Sequence, residues 1–369
     1  MTARCDLRGN KAPQPSMGTD MNNNRCGWMA VMASAAGLLL AACGGNGDSD
    51  GIFAVQTPSG CGASVPSGSA GAGSATAHAQ VQRSDGSVDI SRDGSQFVAK
   101  KLVTIANDFG AATAAEVTLG TQNGAVTACA NTGGGYGTRV MLEARATSEA
   151  EARRGLDSLT VNHTDSLAAG TLRLNTTVQF GALSTSPIPG MGSSTDIQRV
   201  ASIVAGLPAT ASYAITPSSS NGAVQVAGLS GTTADVSTSN GAVTLDGRWN
   251  TATLDNSNGI VSVAGDYASL QAKGGNGLVE GDLTVTRNLT ARFSGTNGSV
   301  DVRLRPGSAG YDLTGSTNNG SVSIDVANTV AVGEQTRTAA HRRSSDYASR
   351  SVQASIGAST NNGGVSIHQ

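Results

Sequence analysis

Few side chains in this sequence have the type and spacing to do chemistry. The four histidines are His78, His163, His341 and His368. His163-Thr164-Asp165-Ser166 holds the residue types of a hydrolytic triad. A triad needs groups converging from separate elements, so four consecutive residues read instead as a surface turn. His341 and His368 have no ligand-spaced partner and read as solvated surface, and His78 lies in a Gly/Ser-rich stretch. Gly133-Gly134-Gly135-Tyr136-Gly137 has the glycine density of a phosphate cradle, but no Gly-Lys-Ser/Thr follows and a strand comes next, so it reads as a loop. A calcium-binding β-roll would need a regular Gly-Gly-x-Gly-x-Asp tract, whereas Asp235, Asp246, Asp255 and Asp266 are irregularly placed. Carboxylate-based sugar cleavage needs clustered acids in a groove. Arg292, Asp301, Arg303 and Arg305 are the dense charges on neighbouring units, without an acid pair at matching positions, and read as a solvated face. No catalytic residue, cofactor or metal site follows from the sequence.

The pattern that organises the chain is a repeat around Asn-Gly. It occurs at Asn221-Gly222, Asn240-Gly241, Asn258-Gly259, Asn276-Gly277, Asn297-Gly298 and Asn319-Gly320, with outliers at Asn123-Gly124 and Asn362-Gly363. Two residues after each glycine stands a valine: Val126, Val224, Val243, Val261, Val279, Val300, Val322 and Val365. Four after, the residue is apolar in all copies but Gly281, and the residue between is always polar. Before the glycine the alternation continues, with Val117, Ile215, Ala234, Ala252, Leu270, Ala291, Leu313 and Ile356 seven back. Pro217 and Gly315 break the row five back. Period-two alternation means strands with one buried and one wet face. The glycine supplies the φ > 0 a tight turn needs, and Asn tolerates the left-handed region beside it.

Consecutive turn glycines from Gly222 to Gly320 are 19, 18, 18, 21 and 22 residues apart, and the 43 to Gly363 is about two steps. A period near twenty with two short strands predicts stacked coils of a parallel β-solenoid. One unit cannot fold alone, because four buried side chains at roughly 1.5–3 kcal/mol each do not offset some eighteen ordered backbones at about 1–2 kcal/mol. A meander of hairpins is the competing arrangement, since Asn-Gly is also a hairpin turn. Outward threonines at 118, 216, 253 and 314 suggest a flat array of the ice-binding kind, interrupted by Asp235, Gln271 and Arg292.

The rest of the chain fits an exported protein. Its 369 residues include 49 glycines, only 14% charged residues and 3% aromatics, and the net charge of −2 gives no argument for nucleic acid. Arg25 precedes an apolar run from Trp28 to Ala42, too short for a membrane-spanning helix and shaped like a secretory signal. The run ends in Leu40-Ala41-Ala42-Cys43, which resembles the bacterial lipobox. That resemblance implies lipidation of Cys43 as the mature N-terminus, and Gly44 after it implies the outer membrane. Translation starting at Met17 or Met21 would fit better than at Met1. With Cys5 and Cys26 in or before the signal, Cys61 and Cys129 remain as a candidate disulfide.

Residues 1–43 are thus read as signal peptide, 44–95 as a Gly/Ser/Ala-rich tether, 96–212 as an irregular β module containing the first repeat, and 213–369 as solenoid. Within the module, Ser148-Glu149-Ala150-Glu151 is a capping box that opens a short helix to about Asp157, with Ala152, Leu156 and Leu159 inward. This module would cap one end of the coil, whose unpaired edge needs cover. Residues 331–350, holding His341-Arg342-Arg343, interrupt the repeat and are expected to fold over the other end.

The Asn-Gly-x-Val-x-apolar units from Asn221 to Val326 come after Asn107-Asp108-Phe109-Gly110 and a Ser-Glu-Ala-Glu-Ala helix. Together they resemble the bacterial adhesin-like β-strand-repeat domain family, related to the auto-transporter adhesin head domain, over roughly residues 95–369. The resemblance implies a fold and an exported or lipid-anchored location more than a mechanism. The expected function is a non-catalytic, lipid-anchored envelope solenoid, adhesin-like or scaffolding, held to the membrane through Cys43 and offering its face to a protein or glycan ligand. The alternatives are a carbohydrate-active enzyme of the parallel β-helix kind, or a purely structural envelope module.

Overall fold

In the computed structural model, residues 81–183 and 197–369 are described. The expected signal peptide, Cys43, Cys61 and the tether up to residue 80 lie outside them. Two short strands, Gln82–Asp85 and Asp89–Asp93, fall within the span read as tether and pair antiparallel with Gln96–Asp108. Their alternation is too polar to have marked them as strands.

The repeat forms an all-β solenoid. Each unit starts a strand at its valine and ends one at its asparagine, as in Val243–Asn258 and Val261–Asn276. These two strands pair parallel and in register from Val243↔Val261 to Asn258↔Asn276. Parallel neighbours exclude the hairpin meander, in which they would run antiparallel. Midway along, Gly247 and Gly265 bend the strand (φ +150° and +128°), so one continuous strand serves two sheets. One sheet lies before the Asn-Gly corner and one after it. Inward residues of both sheets belong to a single apolar core.

The valines form one continuous column. Val126, Val224, Val243, Val261, Val279 and Val300 pair in that order, then Val365, and last Val322. All but Val322 are buried. Where the apolar row fails at Gly281, the ring of Phe293 takes the space: a Cβ on Gly281 would lie 2.8 Å from two of its ring carbons.

The stacking order departs from the sequence order at the end. The coil ending in Gln353–Asn362 and Val365–His368 does not sit beyond the 310–325 coil. It lies between that coil and the 289–304 coil, parallel to both. The 43-residue interval is therefore one coil that skips a tier and a return that fills the gap. The outer edge of Gly310–Asn319 is covered by an antiparallel strand, Ala339–Ser344, which pairs in turn with Thr329–Ala331. Val322 and Thr317 amides donate to the carbonyls of Arg337 and Thr338 at 2.9 Å, closing this end.

At the other end, Thr171–Phe180 and Gln198–Pro208 pair parallel with the first Asn-Gly coil, on Ala114–Asn123 and Val126–Asn131. Antiparallel strands then take over, Leu159–Ala168 on one sheet and Gly135–Ala146 with Gln96–Asp108 on the other. Among the described residues there is one α-helix, α1 (Glu149–Asp157). Ser148 caps it by accepting from the Glu151 amide, and Ala152, Leu156 and Leu159 are buried. No helix among the described residues is long and apolar enough to cross a membrane.

Candidate binding face

The Asn-Gly corners are built differently from a two-residue turn. Seven of the eight glycines have φ between +128° and +145°, outside the αL well, while none of the asparagines has a positive φ. Asparagine is therefore not there to tolerate a left-handed backbone. Its amide forms a ladder: Asn240 donates to Asn221, Asn258 to Asn240, Asn276 to Asn258, Asn297 to Asn276, Asn362 to Asn297 and Asn319 to Asn362, at 2.7–3.1 Å. Asn123 leaves the ladder and donates to the Arg199 carbonyl. Backbone bonds run through the corner as well, with seven of the eight Gly amides donating to the next tier's Asn carbonyl.

A second row was missed in the sequence. Three residues before the glycine, Ser219, Thr238, Asn256, Thr360 and Thr317 point inward and donate to the neighbouring tier's glycine carbonyl, each at 2.9 Å. The recurring Ser/Thr/Asn at that offset was the available signal. These bonds satisfy carbonyls that would otherwise be buried unpaired beside the core.

The corner and its ladders fix the register of the outward face of the pre-corner sheet. Register pairing places Thr216, Asp235, Thr253 and Gln271 in one row and Ser218, Ser237, Asp255 and Lys273 in the next. Ser220, Ser239 and Ser257 line the row nearest the corner. With the inward-pointing Thr121, Ser219 and Thr238 beneath them, Ser218, Ser220, Ser237, Ser239, Asp255 and Ser257 line a shallow cleft of about 380 Å³. Asp255 and Lys273 form an ion pair at 3.7 Å at its border. Strand spacing sets these hydroxyls about 4.8 Å apart from tier to tier. The surface offers paired donors and acceptors at a fixed pitch.

The post-corner sheet carries charge instead. Glu280 and Asp301 are direct register partners, an acid pair at matching positions where none was expected. Both stand three residues after a turn glycine, so the alignment could have revealed them. Burial, and then the Asp301 charge, raise the Glu280 carboxyl above its usual range. His368 Nδ1 lies 3.3 Å from Asp301 and 3.3 Å from Ser366 Oγ. Both neighbours face the same nitrogen, which a triad does not allow. His368 is thus partnered rather than merely solvated. Arg305 forks onto Asp282 at 3.0 and 2.9 Å. Burial also raises Asp246, against the pull of Arg305.

The other histidines also differ from the surface expected. His341 Nε2 sits 2.6 Å from Asp312, which Arg343 contacts at 2.8 Å, so it pins the covering strand to the 310–319 strand. His163 and Asp165 lie on a strand, not a turn, and face inward. Tyr136 donates to Asp165 at 2.6 Å, Asn107 donates to the same oxygen at 2.9 Å, and His163 spans Tyr136 and Thr176 at 3.3 and 2.8 Å. Burial lowers the His163 pKa, and burial with the Asp165 bond raises that of Tyr136. A neutral imidazole and a protonated phenol in a closed network make a structural clamp at the capped end. Alternation over Leu159–Ala168 was the missed signal, because polar residues occupy its inward positions.

Cys129 is buried and disulfide-bonded, and the other four cysteines lie outside the described residues. Among the described residues no cluster of His, Cys, Asp and Glu could hold a metal ion.

No family model matches the chain, and no curated protein matches it. Among the solved structures similar to it are two of low identity. One is a candidate cell adhesion protein from Clostridium sporogenes, with 12% identity and a TM-score of 0.36 over 73% of this chain and 99% of that one. The other is a candidate adhesin from Bacteroides fragilis, with 11% identity and a TM-score of 0.26 over 72% and 96%.

Proposed function

We propose that this chain is a non-catalytic, adhesin-like envelope protein, exported and lipid-anchored through Cys43, that binds an extended ligand on its pre-corner face. The observation carrying this reading is the in-register hydroxyl surface with its open cleft across the 218–257 tiers. Such a face suits a ligand that is itself periodic and rich in hydroxyls, a glycan above all. Cys61 is the proposed partner of Cys129, since Cys5 and Cys26 fall in or before the signal. Binding of the purified protein to cells and to immobilised glycans tests the reading. Ser237→Arg with Ser239→Arg should abolish retention without unfolding the protein; unchanged retention overturns the assignment of the face. Fatty-acid labelling lost in Cys43→Ser tests the anchor, and protease shaving of intact cells tests surface exposure.

The Glu280–Asp301 pair favours one second reading, a glycan-cleaving solenoid. Turnover of acidic or neutral polysaccharides that disappears in Asp301→Ala and Glu280→Gln would establish it in place of simple binding.

A further inference from the structure

We infer that residues 353–368 are an exchangeable plug, and that the slot they occupy is an interaction site for the same segment of a second copy of this chain. The inference is independent of the proposed ligand-binding face.

Three observations carry it. First, the plug is made after both coils that flank it, yet pairs along its length with each. Ala354 to Asn362 lie in register with Leu289 to Asn297 on one side, and Gln353 to Asn362 with Gly310 to Asn319 on the other. Its corner is bonded on both sides as well: Gly298 N–H donates to Asn362 O, and Gly363 N–H donates to Asn319 O. The coil made last in the chain is thus inserted between two earlier ones rather than added at an end.

Second, the slot reads mainly the repeat, to which Gln353 on Asn288 and His368 beside Asp301 add contacts carried by the same segment. On either side it presents an asparagine amide, a corner glycine and a valine at the standard offsets, and the plug answers with Asn362, Gly363 and Val365. No feature of that pairing distinguishes a segment of the same chain from the identical segment of a neighbour. Intramolecular filling wins through effective concentration alone.

Third, a hinge is in place. Residues 345–352, which follow the covering strand Ala339–Ser344, lie mostly exposed on the surface, held by the Arg350–Asp346 pair and by two bonds to the neighbouring coil, Arg350 to the Ser308 carbonyl and Gly310 N–H to the Val352 carbonyl. Eight residues extended reach about 28 Å, enough to carry the plug out of its own slot while the covering strand stays paired. Exchange of an identical element through such a hinge gives closed dimers, or chains of copies where it does not close.

Ser294 and Ser359 are register partners on the outward row of the slot, and give the test in the full chain. One preparation carries Ser294→Cys, a second Ser359→Cys, and a third both. Unfolded together and refolded at high concentration, the two single variants should form a disulfide-linked species of twice the monomer mass, with the 294 and 359 peptides joined. The same variants mixed after folding should link far less. The double variant should close its bond within one chain and lose the concentration-dependent dimer in light scattering. If co-refolding gives only monomers while the double variant links internally, exchange is overturned. If the double variant fails to link, the plug is not in the slot and the inference falls with it.

Discussion

Gly259→Ala probes the stacked corner most sharply. At φ +128° the backbone is in a region that L-residues rarely adopt, and an added Cβ would collide with the Gly241 carbonyl of the next tier. It would lie 2.9 Å from that carbonyl carbon and 3.1 Å from the Asn256 amide nitrogen. The conformational cost is about 1–3 kcal/mol. Forcing an atom into close-packed backbone adds roughly 1–3 kcal/mol. Gly94→Ala supplies the control: φ is +61° and nothing lies within 4 Å of its Cβ, so only the αL cost of about 1–2 kcal/mol applies. Urea unfolding followed by far-UV circular dichroism compares the two. With a slope of ~1–3 kcal/mol/M, Gly259→Ala should shift the midpoint by about 1 M or more beyond Gly94→Ala. Because each tier leans on its neighbours, hydrogen exchange should rise first in the strands on either side of residue 259. A midpoint at or above that of Gly94→Ala would refute the argument that neighbouring tiers, rather than the turn itself, demand glycine there.

Gly281→Ala should destabilise by roughly 1–3 kcal/mol through its clash with the Phe293 ring, and Phe293→Leu should restore part of that loss in the double variant, measured as a coupling energy. Glu280 is raised by burial and by Asp301, so its ionisation costs stability as pH rises from the ordinary value of about 4.3 through the raised one. Glu280→Gln should increase the urea midpoint at neutral pH, with the gain vanishing below about pH 4. Burial pushes the Asp312 carboxyl up, but hydrogen bonds from Arg343 and His341 outweigh it and hold it below its usual range. A depressed acid stabilises above its unfolded pKa, about 3.9, and the contribution is lost as pH falls through the lower folded value. Amide protection of residues 339–344 should fall in that acid window, and Asp312→Asn should lower it at neutral pH and remove the dependence.

What the sequence disclosed follows from what repeats impose. Valines at one offset, with a period of 18–22 residues, can bury themselves together only by stacking, so the column was legible without coordinates. The helix was legible because Ser148 and Glu151 satisfy each other at its first turn. Tier order was not. Every unit presents the same edges, so pattern alone cannot tell that the coil of Asn362 sits between those of Asn297 and Asn319. The asparagine's role was mistaken because Asn-Gly has a familiar local explanation, while the ladder is a property of neighbours. His163 and Asp165 were hidden for a related reason: their polar types suggest solvent, and it is Tyr136, Asn107 and Thr176, packed from other strands, that make an inward position tolerable. The charged pair at Glu280 and Asp301 is legible only when acids are counted from the turn glycines, because the uneven 18–22-residue spacing hides their common offset.

The central claim is a single valine column whose order leaves the sequence at Val365. Methyl–methyl NOEs in a sample labelled at valine test it directly. Contacts are expected between Val300 and Val365 and between Val365 and Val322. None is expected between Val300 and Val322, which stand two strand spacings, roughly 9.6 Å, apart. A direct Val300–Val322 contact, with Val365 touching neither, would contradict the architecture from which the face, the plug and their functions are argued.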